Sequence, residues 1–243
     1  MIIIQIAGGL GNQLQQYALY QKFKSIGVEA KLDLSWFEQF EDTCRESKNK
    51  EQNKDDHGIN KTKPAIKQDI VVTNRQCELD FFEHLPYESC TEKERTALTG
   101  SQGLAGKLRR KLLPQTVHWY KEERMYDPEL LNYRKMYLSG YFACEKYYAD
   151  ILPELREMIR FPEIADAQSR MANEEILKKI RNSHAVSVHI RRGDYLQPEN
   201  AAMFGNICTE EYYESALDYM KEKIEDPHFF IFSDDVAYVR EHY

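Results

Sequence analysis

The chain has 243 residues, which is enough for one large α/β domain or two small ones. Hydrophobic residues make up 42% of it, so a substantial core can form. The formal net charge is −7, which argues against a general nucleic-acid-binding protein, because such a protein needs a basic face.

The sequence predicts neither a secretory signal nor a transmembrane segment. The apolar start at residues 2–6 has no charged region before it and breaks at Gly8 and Gly9. No stretch approaches the ~18 apolar residues of a membrane-spanning helix. The five cysteines are an odd number without a CxxC spacing, which favours free thiols over disulfides or a zinc site. We therefore expect a cytoplasmic protein.

The first part of the chain alternates between strand and helix patterns. Residues 2–6 predict a buried strand, residues 13–26 a well-buried helix ended by Gly27, and residues 28–34 a second strand. This βαβ order is typical of a parallel sheet covered by helices. Further along, a strand is predicted at residues 136–142 and helices at residues 144–160 and 166–182.

Two segments of this part have a different composition. Residues 41–64 are rich in charged and amide side chains and almost free of apolar ones, which predicts a solvated or disordered loop. Residues 107–111 form a short basic run among leucines. An ordinary amphipathic helix is the favoured interpretation of that run, and peripheral contact with the inner membrane is the alternative.

A new α/β unit begins near residue 183. Residues 185–190 predict a strand, Thr209 an N-cap for the helix that follows it, and residues 228–232 a second strand. The chain is thus predicted to hold two Rossmann-like domains, residues 1–182 and 183–243. The second has roughly 60 residues, fewer than a complete doubly wound domain usually needs, so we expect it to be incomplete.

The first segment that could take part in binding or catalysis is the Gly-rich turn at residues 8–13, between a strand and a helix. Glycines let a backbone approach a phosphate, and a helix N-terminus offers free N–H groups. The spacing matches neither GxGxxG nor GxxxxGK[ST], so a purely structural turn is an equal alternative. A third interpretation of the chain, a Rossmann-type oxidoreductase, is supported by this turn alone.

The second segment is HIRRGDY at residues 189–195, where an apolar strand gives way to a loop. Ligands of open α/β sheets bind at the carboxyl ends of strands. Arg191 and Arg192 could grip a diphosphate there through charge-assisted hydrogen bonds, with His189 on the same side as Arg191. The alternative is a surface ion pair between one of the arginines and Asp194.

The third segment is FSDD at residues 232–235, at another strand end. Asp234 and Asp235 could accept hydrogen bonds from ribose hydroxyls or base N–H groups, or bind a metal. The alternative is an aspartate N-cap for a helix that begins near Val236, and capping can coexist with ligand binding.

Taken in order, these segments resemble glycosyltransferase family 11, the α-1,2-fucosyltransferases. The family's opening GGLGNQMFQYA resembles residues 8–18, GGLGNQLQQYA, and its HxRRGDY and FSDD elements match the second and third segments. A GYFQSEKYF-like segment stands at residues 140–148 and the C-x-x-x-YY element at residues 208–213. The match runs from residue 2 to the end, apart from the polar insert near residues 41–64.

The resemblance implies a GT-B-like fold, in which two Rossmann-like domains face a cleft. The first domain would be on the acceptor side, and the second would bind GDP-fucose, which is a donor substrate and not a cofactor. Fucose would pass to the 2-hydroxyl of a terminal galactoside, with inversion and without a required metal. The partners implied are this donor and a galactose-terminated glycan.

The resemblance places the two arginines on the donor diphosphate, and more distant fucosyltransferases suggest that Asn12 approaches it too. The donor-binding residues that we expect are Gly9, Gly11, Asn12, Arg191, Arg192, Asp234 and Asp235. Arg191 is also expected to be catalytic, because it would stabilise the charge that grows on the departing GDP. His189 and Asp194 are the candidates for the general base, although either could merely orient an arginine. No metal ligand is expected.

Two departures from the family pattern bear on activity. Leu14 and Gln15 replace the family's Met-Phe, which would change packing or the acceptor rim. The family also continues beyond FSDD to an STFSWW-like segment that lines the donor site and that this sequence does not contain. The chain as it stands is therefore expected to have little transferase activity. The alternative to an active enzyme is a degenerate or truncated GDP-sugar-binding protein without turnover.

Overall fold

The computed structural model describes residues 1–38, 76–83, 85–100, 118–198, 201 and 207–243. The chain divides into two compact units, Met1–Pro162 and Glu163–Tyr243. This division falls earlier than the predicted boundary after residue 182, because the helix at Ala167–Arg181 contacts the first strand of the second unit. The polar insert near residues 41–64 and the basic run at residues 107–111 lie outside the described residues.

The first unit is built on a parallel four-stranded sheet. Its strands are β1 (Ile2–Gln5), β2 (Ala30–Asp33), β3 (Trp119–Lys121) and β4 (Met136–Ser139), in the order β2-β1-β4-β3. All three pairings are parallel, with Ile3 opposite Lys31 on one side and Tyr137 on the other. The predicted α/β class with a parallel sheet is confirmed. Strand β3 was not predicted, because three residues are too few to show an alternation.

The second unit contains two parallel strands, β5 (His184–Ile190) and β6 (Pro227–Ser233). His189 pairs with Phe232 and Ile190 with Ser233, so the two strands end side by side. Neighbouring parallel strands point the same way, so the segments that follow them leave the sheet at one edge. This register brings the second and third candidate segments together.

Among the described residues, the helices include α1 (Leu10–Ser25), α2 (Glu92–Thr99), α3 (Leu152–Met158), α4 (Ala167–Arg181), α5 (Glu210–Lys223) and α6 (Val236–His242). Short 3-10 helices lie at Leu79–Phe81, Leu130–Asn132, Glu145–Tyr147, Ala149–Ile151 and Asp194–Leu196. In the part of the chain that the structure describes, no helix is both long and apolar enough to cross a membrane.

The helix starts show which local signals were informative. Thr209 caps α5 as predicted, since its side chain accepts a hydrogen bond from the Tyr212 amide. The capping box between Thr91 and Glu94 was overlooked, although this pattern is visible in the sequence. The single helix predicted over residues 144–160 is wrong. Two 3-10 turns precede α3, whose first turn holds Pro153, a residue that suits a helix start and not its interior.

Helices cover both faces of the four-stranded sheet. Ile2, Ile4, Leu32 and Leu138 belong to the main core cluster, which includes Tyr17, Leu19 and Phe23 of α1. On the other face, Ile3 and Tyr137 form a smaller cluster with Leu98 of α2. Coverage on both faces explains why β1 is apolar at consecutive positions. The orientation of the two units, and with it the GT-B arrangement, remains a prediction.

Among the described residues, Cys77, Cys90, Cys144 and Cys208 are free thiols. Burial raises the pKa of Cys90 to about 11, so this thiol is protonated near neutral pH. This state agrees with the prediction of free cysteines.

Candidate functional site

The candidate site lies where β5 and β6 end. The Asp234 carboxylate, just past β6, accepts hydrogen bonds from two consecutive backbone amides just past β5. Its Oδ1 accepts from the Arg192 amide at 2.8 Å, and its Oδ2 accepts from the Gly193 amide at 3.1 Å. The two candidate segments are therefore joined directly.

An ion pair and a ring contact hold the Arg192 side chain in place. Its Nε donates to Asp235 Oδ2 at 3.2 Å, and its guanidinium carbon lies 3.5 Å from the centre of the Tyr238 ring. Asp235 also caps α6, because its Oδ1 accepts from the Tyr238 amide at 3.0 Å. The capping role considered for this pair of aspartates is thus confirmed at Asp235. Stacking and ion pairing together hold the Arg192 side chain in one orientation.

Arg191 is exposed, and its guanidinium carbon lies 4.7 Å from the centre of the Tyr195 ring. Both arginines border a pocket of about 420 Å³, within the usual size range of small-molecule sites. The pocket is lined by His189, Ile190, Arg191, Arg192, Tyr195, Leu196, Ile207, Cys208, Glu210, Tyr213 and Tyr238. Two guanidinium groups at one opening suit an anionic ligand such as a diphosphate.

Two tyrosines fix the wall of the pocket. The Tyr213 hydroxyl donates to the His189 carbonyl at 3.1 Å, and the Tyr238 hydroxyl donates to Glu210 Oε1 at 2.8 Å. Burial, with a smaller effect of Cys208, raises the pKa of Tyr213 to about 12. The hydrogen bond to Glu210 raises the pKa of Tyr238. Both phenols therefore stay protonated near neutral pH and act as donors.

The charge state of Asp234 follows from its contacts. Burial alone would raise its pKa, but the hydrogen bonds from the Arg192 and Gly193 amides, with the nearby Arg191 charge, bring it below the ordinary 3.8. A carboxylate with a lowered pKa stabilises the folded state fully above its unfolded-state pKa. That contribution is lost as the pH falls through the folded-state value. Asp234 is thus an anion throughout the neutral range.

The structure describes the side chain of only one of the two candidates for the general base. The His189 side chain is exposed and borders the pocket, so it can reach a ligand there. The Asp194 backbone begins the 3-10 helix Asp194–Leu196, but its side chain lies outside the described part of the structure. The base assignment therefore stays a prediction for both. Among the described residues, no group of three or more His, Cys, Asp or Glu could hold a metal ion.

The Gly-rich turn belongs to the first unit. Gly9 is the N-cap of α1, and Gly11 is exposed in the first turn of that helix with open space around its α-carbon. Gly8 has a φ of +80°, and a Cβ on it would lie 2.7 Å from Asn12 Nδ2. The helix starts three residues earlier than predicted, so its N-terminus directly follows the turn. Donor binding by Gly9, Gly11 and Asn12 stays a prediction.

Two buried glutamines of this motif have structural roles that were not predicted. Gln13 donates to the Gly8 and Gln76 carbonyls and accepts from the Glu78 amide. Gln16 accepts from the Ala7 amide at 2.9 Å and donates to the Gly140 carbonyl at 2.8 Å. Both glutamines are fully buried. Polar residues at otherwise apolar helix positions were the signal that could have revealed them.

Replacing Gln16 by leucine is expected to lower the free energy of unfolding by about 2–4 kcal/mol. The half-buried Ala7 amide and Gly140 carbonyl would each lose their partner, at about 1–2 kcal/mol for each group. Urea unfolding monitored by tryptophan fluorescence tests this. Gln15→Leu, at a half-buried position of the same helix, is the matched control. Equal losses in both variants would contradict the structural role.

Comparisons with known proteins agree on one family. Residues 118–243, more than half of the chain, match the sequence profile of glycosyl transferase family 11. This match contains the segments at residues 189–195 and 232–235 but not the Gly-rich turn. No solved structure matches the chain.

Two curated relatives also align with the residues that lie outside this profile. An alpha-1,2-colitosyltransferase of Escherichia coli is 24% identical over 100% of this chain and 71% of its own length. The O-antigen biosynthesis glycosyltransferase WbnK of Escherichia coli is 27% identical over 96% of this chain and 72% of its own length. Galactoside alpha-(1,2)-fucosyltransferase 2 of Sus scrofa is 29% identical over 43% of this chain and 31% of its own length. Since the family profile spans the whole second unit and residues 118–162 of the first, which is more than half of the chain, the chain belongs to glycosyl transferase family 11.

Proposed function

We propose that the protein transfers L-fucose from GDP-fucose to the 2-hydroxyl of a terminal galactoside, with inversion and without a metal. The observation that carries this proposal is the pair of arginines beside the pocket at the paired ends of β5 and β6. Among the described residues of this site, Arg191 and Arg192 supply the positive charge for a diphosphate leaving group.

The geometry suits the charge changes of a glycosyl transfer. As the bond between the sugar carbon and the diphosphate oxygen breaks, negative charge grows on the diphosphate. Guanidinium donors that are already oriented stabilise this charge without reorganising, which lowers the barrier. Arg192 is oriented by Asp235 and the Tyr238 ring, as described above. The proton of the acceptor hydroxyl passes to a general base, for which His189 and Asp194 are the candidates.

The names of the relatives support transfer in an α-1,2 linkage. They also favour a second candidate donor, because the colitosyltransferase aligns with the whole chain whereas the galactoside fucosyltransferase aligns with less than half of it. A colitosyl donor is therefore the second candidate for the same site. A GDP-sugar-binding protein without turnover is the remaining alternative.

Prolonged incubation of the protein with GDP-fucose and lactose is expected to give a small amount of fucosylated product by mass spectrometry, because the chain as it stands is expected to have little transferase activity. The yield should be the same in the presence of EDTA as in its absence. Inhibition by EDTA that Mg²⁺ or Mn²⁺ reverses would overturn the metal-free mechanism. GDP binding by calorimetry without product would favour a binding protein or another donor. No GDP binding by the folded chain would refute the donor site itself.

A further inference from the structure

We propose that Asp234 is a positioning residue, whose carboxylate fixes the Arg191–Gly193 turn instead of contacting the donor. The inference rests on the proposed function for the identity of the donor. It differs from the expectation that Asp234 accepts hydrogen bonds from a ribose or a base.

Both carboxylate oxygens of Asp234 are engaged within the protein. One accepts from the Arg192 amide and the other from the Gly193 amide, at 2.8 and 3.1 Å. These two peptide groups lie inside the segment that carries the pocket arginines. A carboxylate that turned toward the donor would leave both amides without this acceptor and would meet the like charge of a diphosphate. The observed orientation avoids both costs.

Gly193 supplies an independent observation. Its φ is not positive, so the backbone conformation itself does not require glycine. A Cβ at this position would instead lie 2.7 Å from Asp234 Oδ2 and 3.3 Å from Asp234 Cγ. Outside residues 192–194, the three heavy atoms nearest to such a Cβ all belong to Asp234. Glycine is therefore needed in this turn because the Asp234 carboxylate occupies the space of a side chain. The two residues together fix the turn.

A double-mutant cycle tests whether Gly193 acts through Asp234, and a comparison of GDP with pyrophosphate separates positioning from direct contact. Gly193→Ala is expected to weaken GDP binding at least tenfold in the wild-type background, because the new methyl group displaces the carboxylate from the turn. In the Asp234→Ala background it is expected to change binding less than twofold, since the remaining Asp234 Cβ lies 4.0 Å from the added methyl group. If Asp234 instead bound the ribose or base of the donor, Asp234→Ala would weaken the binding of GDP but not that of pyrophosphate, which has neither group, and that result would overturn the inference.

Two controls make the cycle decisive. Asp218→Ala removes an exposed carboxylate of α5 that pairs with Lys221, and it should leave GDP binding unchanged. Thermal unfolding of each variant shows whether a loss of binding exceeds a loss of folded protein. A fall in the binding of both GDP and pyrophosphate by Asp234→Ala that exceeds the fall in folded fraction supports positioning, and a loss of folded protein alone overturns it.

A measurement without donor keeps the inference testable if the proposed function fails. In nuclear magnetic resonance, the Gly193 amide signal is expected to shift as Asp234 is protonated, with a midpoint below 3.8. Asp234→Ala should abolish this shift. No such titration in the wild type would overturn the inference, whether or not GDP binds. Failure of the wild type to bind GDP, with the titration intact, would refute only the proposed donor.

Discussion

Arg191→Ala is expected to lower kcat/KM for transfer from GDP-fucose to lactose by about 10²–10³-fold. A loss of this size corresponds to about 2.7–4 kcal/mol of transition-state stabilisation, the usual effect of removing one preorganised donor. Arg191 is exposed beside the pocket, so its charge can reach the leaving diphosphate. Steady-state kinetics with varied GDP-fucose measures the effect. If leaving-group stabilisation is the role, kcat falls more than KM rises.

Two further variants sharpen this test. Arg191→Lys keeps the positive charge but loses the planar set of guanidinium N–H donors. Its rate should therefore lie between those of Arg191→Ala and the wild type. Arg181→Ala removes an exposed arginine at the end of α4 and should behave like the wild type. A near wild-type rate for Arg191→Ala would refute the role given to this residue.

Phe142→Ala is expected to cause the largest loss of stability, about 3–5 kcal/mol, through a cavity in the core of the first unit. Phe142 is 0% exposed, and its ring centre lies 6.5 Å from that of Tyr120 and 6.4 Å from that of Tyr147. Its amide donates to Glu122 Oε2 at 3.1 Å. Since a domain's net stability is only about 5–15 kcal/mol, this substitution should strongly reduce the folded fraction under mild denaturation.

The sequence offers a direct readout and a matched control for this prediction. Both tryptophans of the chain, Trp36 and Trp119, lie in the first unit, so their fluorescence reports its unfolding in urea. Tyr141→Ala changes the neighbouring ring, which is 49% exposed, and should cost on the order of 1 kcal/mol. Similar losses for both variants would show that Phe142 is not a core residue.

Local patterns in the sequence predicted the candidate site, the family and much of the secondary structure. Strand β5 was predicted to within one residue and the capping of α5 correctly, because apolar runs and helix caps are properties of a few consecutive residues. The same patterns placed HIRRGDY and FSDD at strand ends, where parallel sheets bind ligands. The Gly-rich turn, HIRRGDY and FSDD also identified the family.

Only the tertiary structure decided which long-range contacts the residues of those segments make. Asp234 and Asp235 looked equivalent in sequence, yet the register of β5 against β6 aims Asp234 at the Arg192 and Gly193 amides, whereas Asp235 makes the local helix cap that the sequence suggested for the pair. Gln16 likewise reaches Gly140 across the first unit. The contacts of Asp234 with the two amides and of Gln16 with Gly140 join residues that stand 41 to 124 positions apart in the chain. No local pattern encodes such a distance, since it depends on how the strands pair and the helices pack.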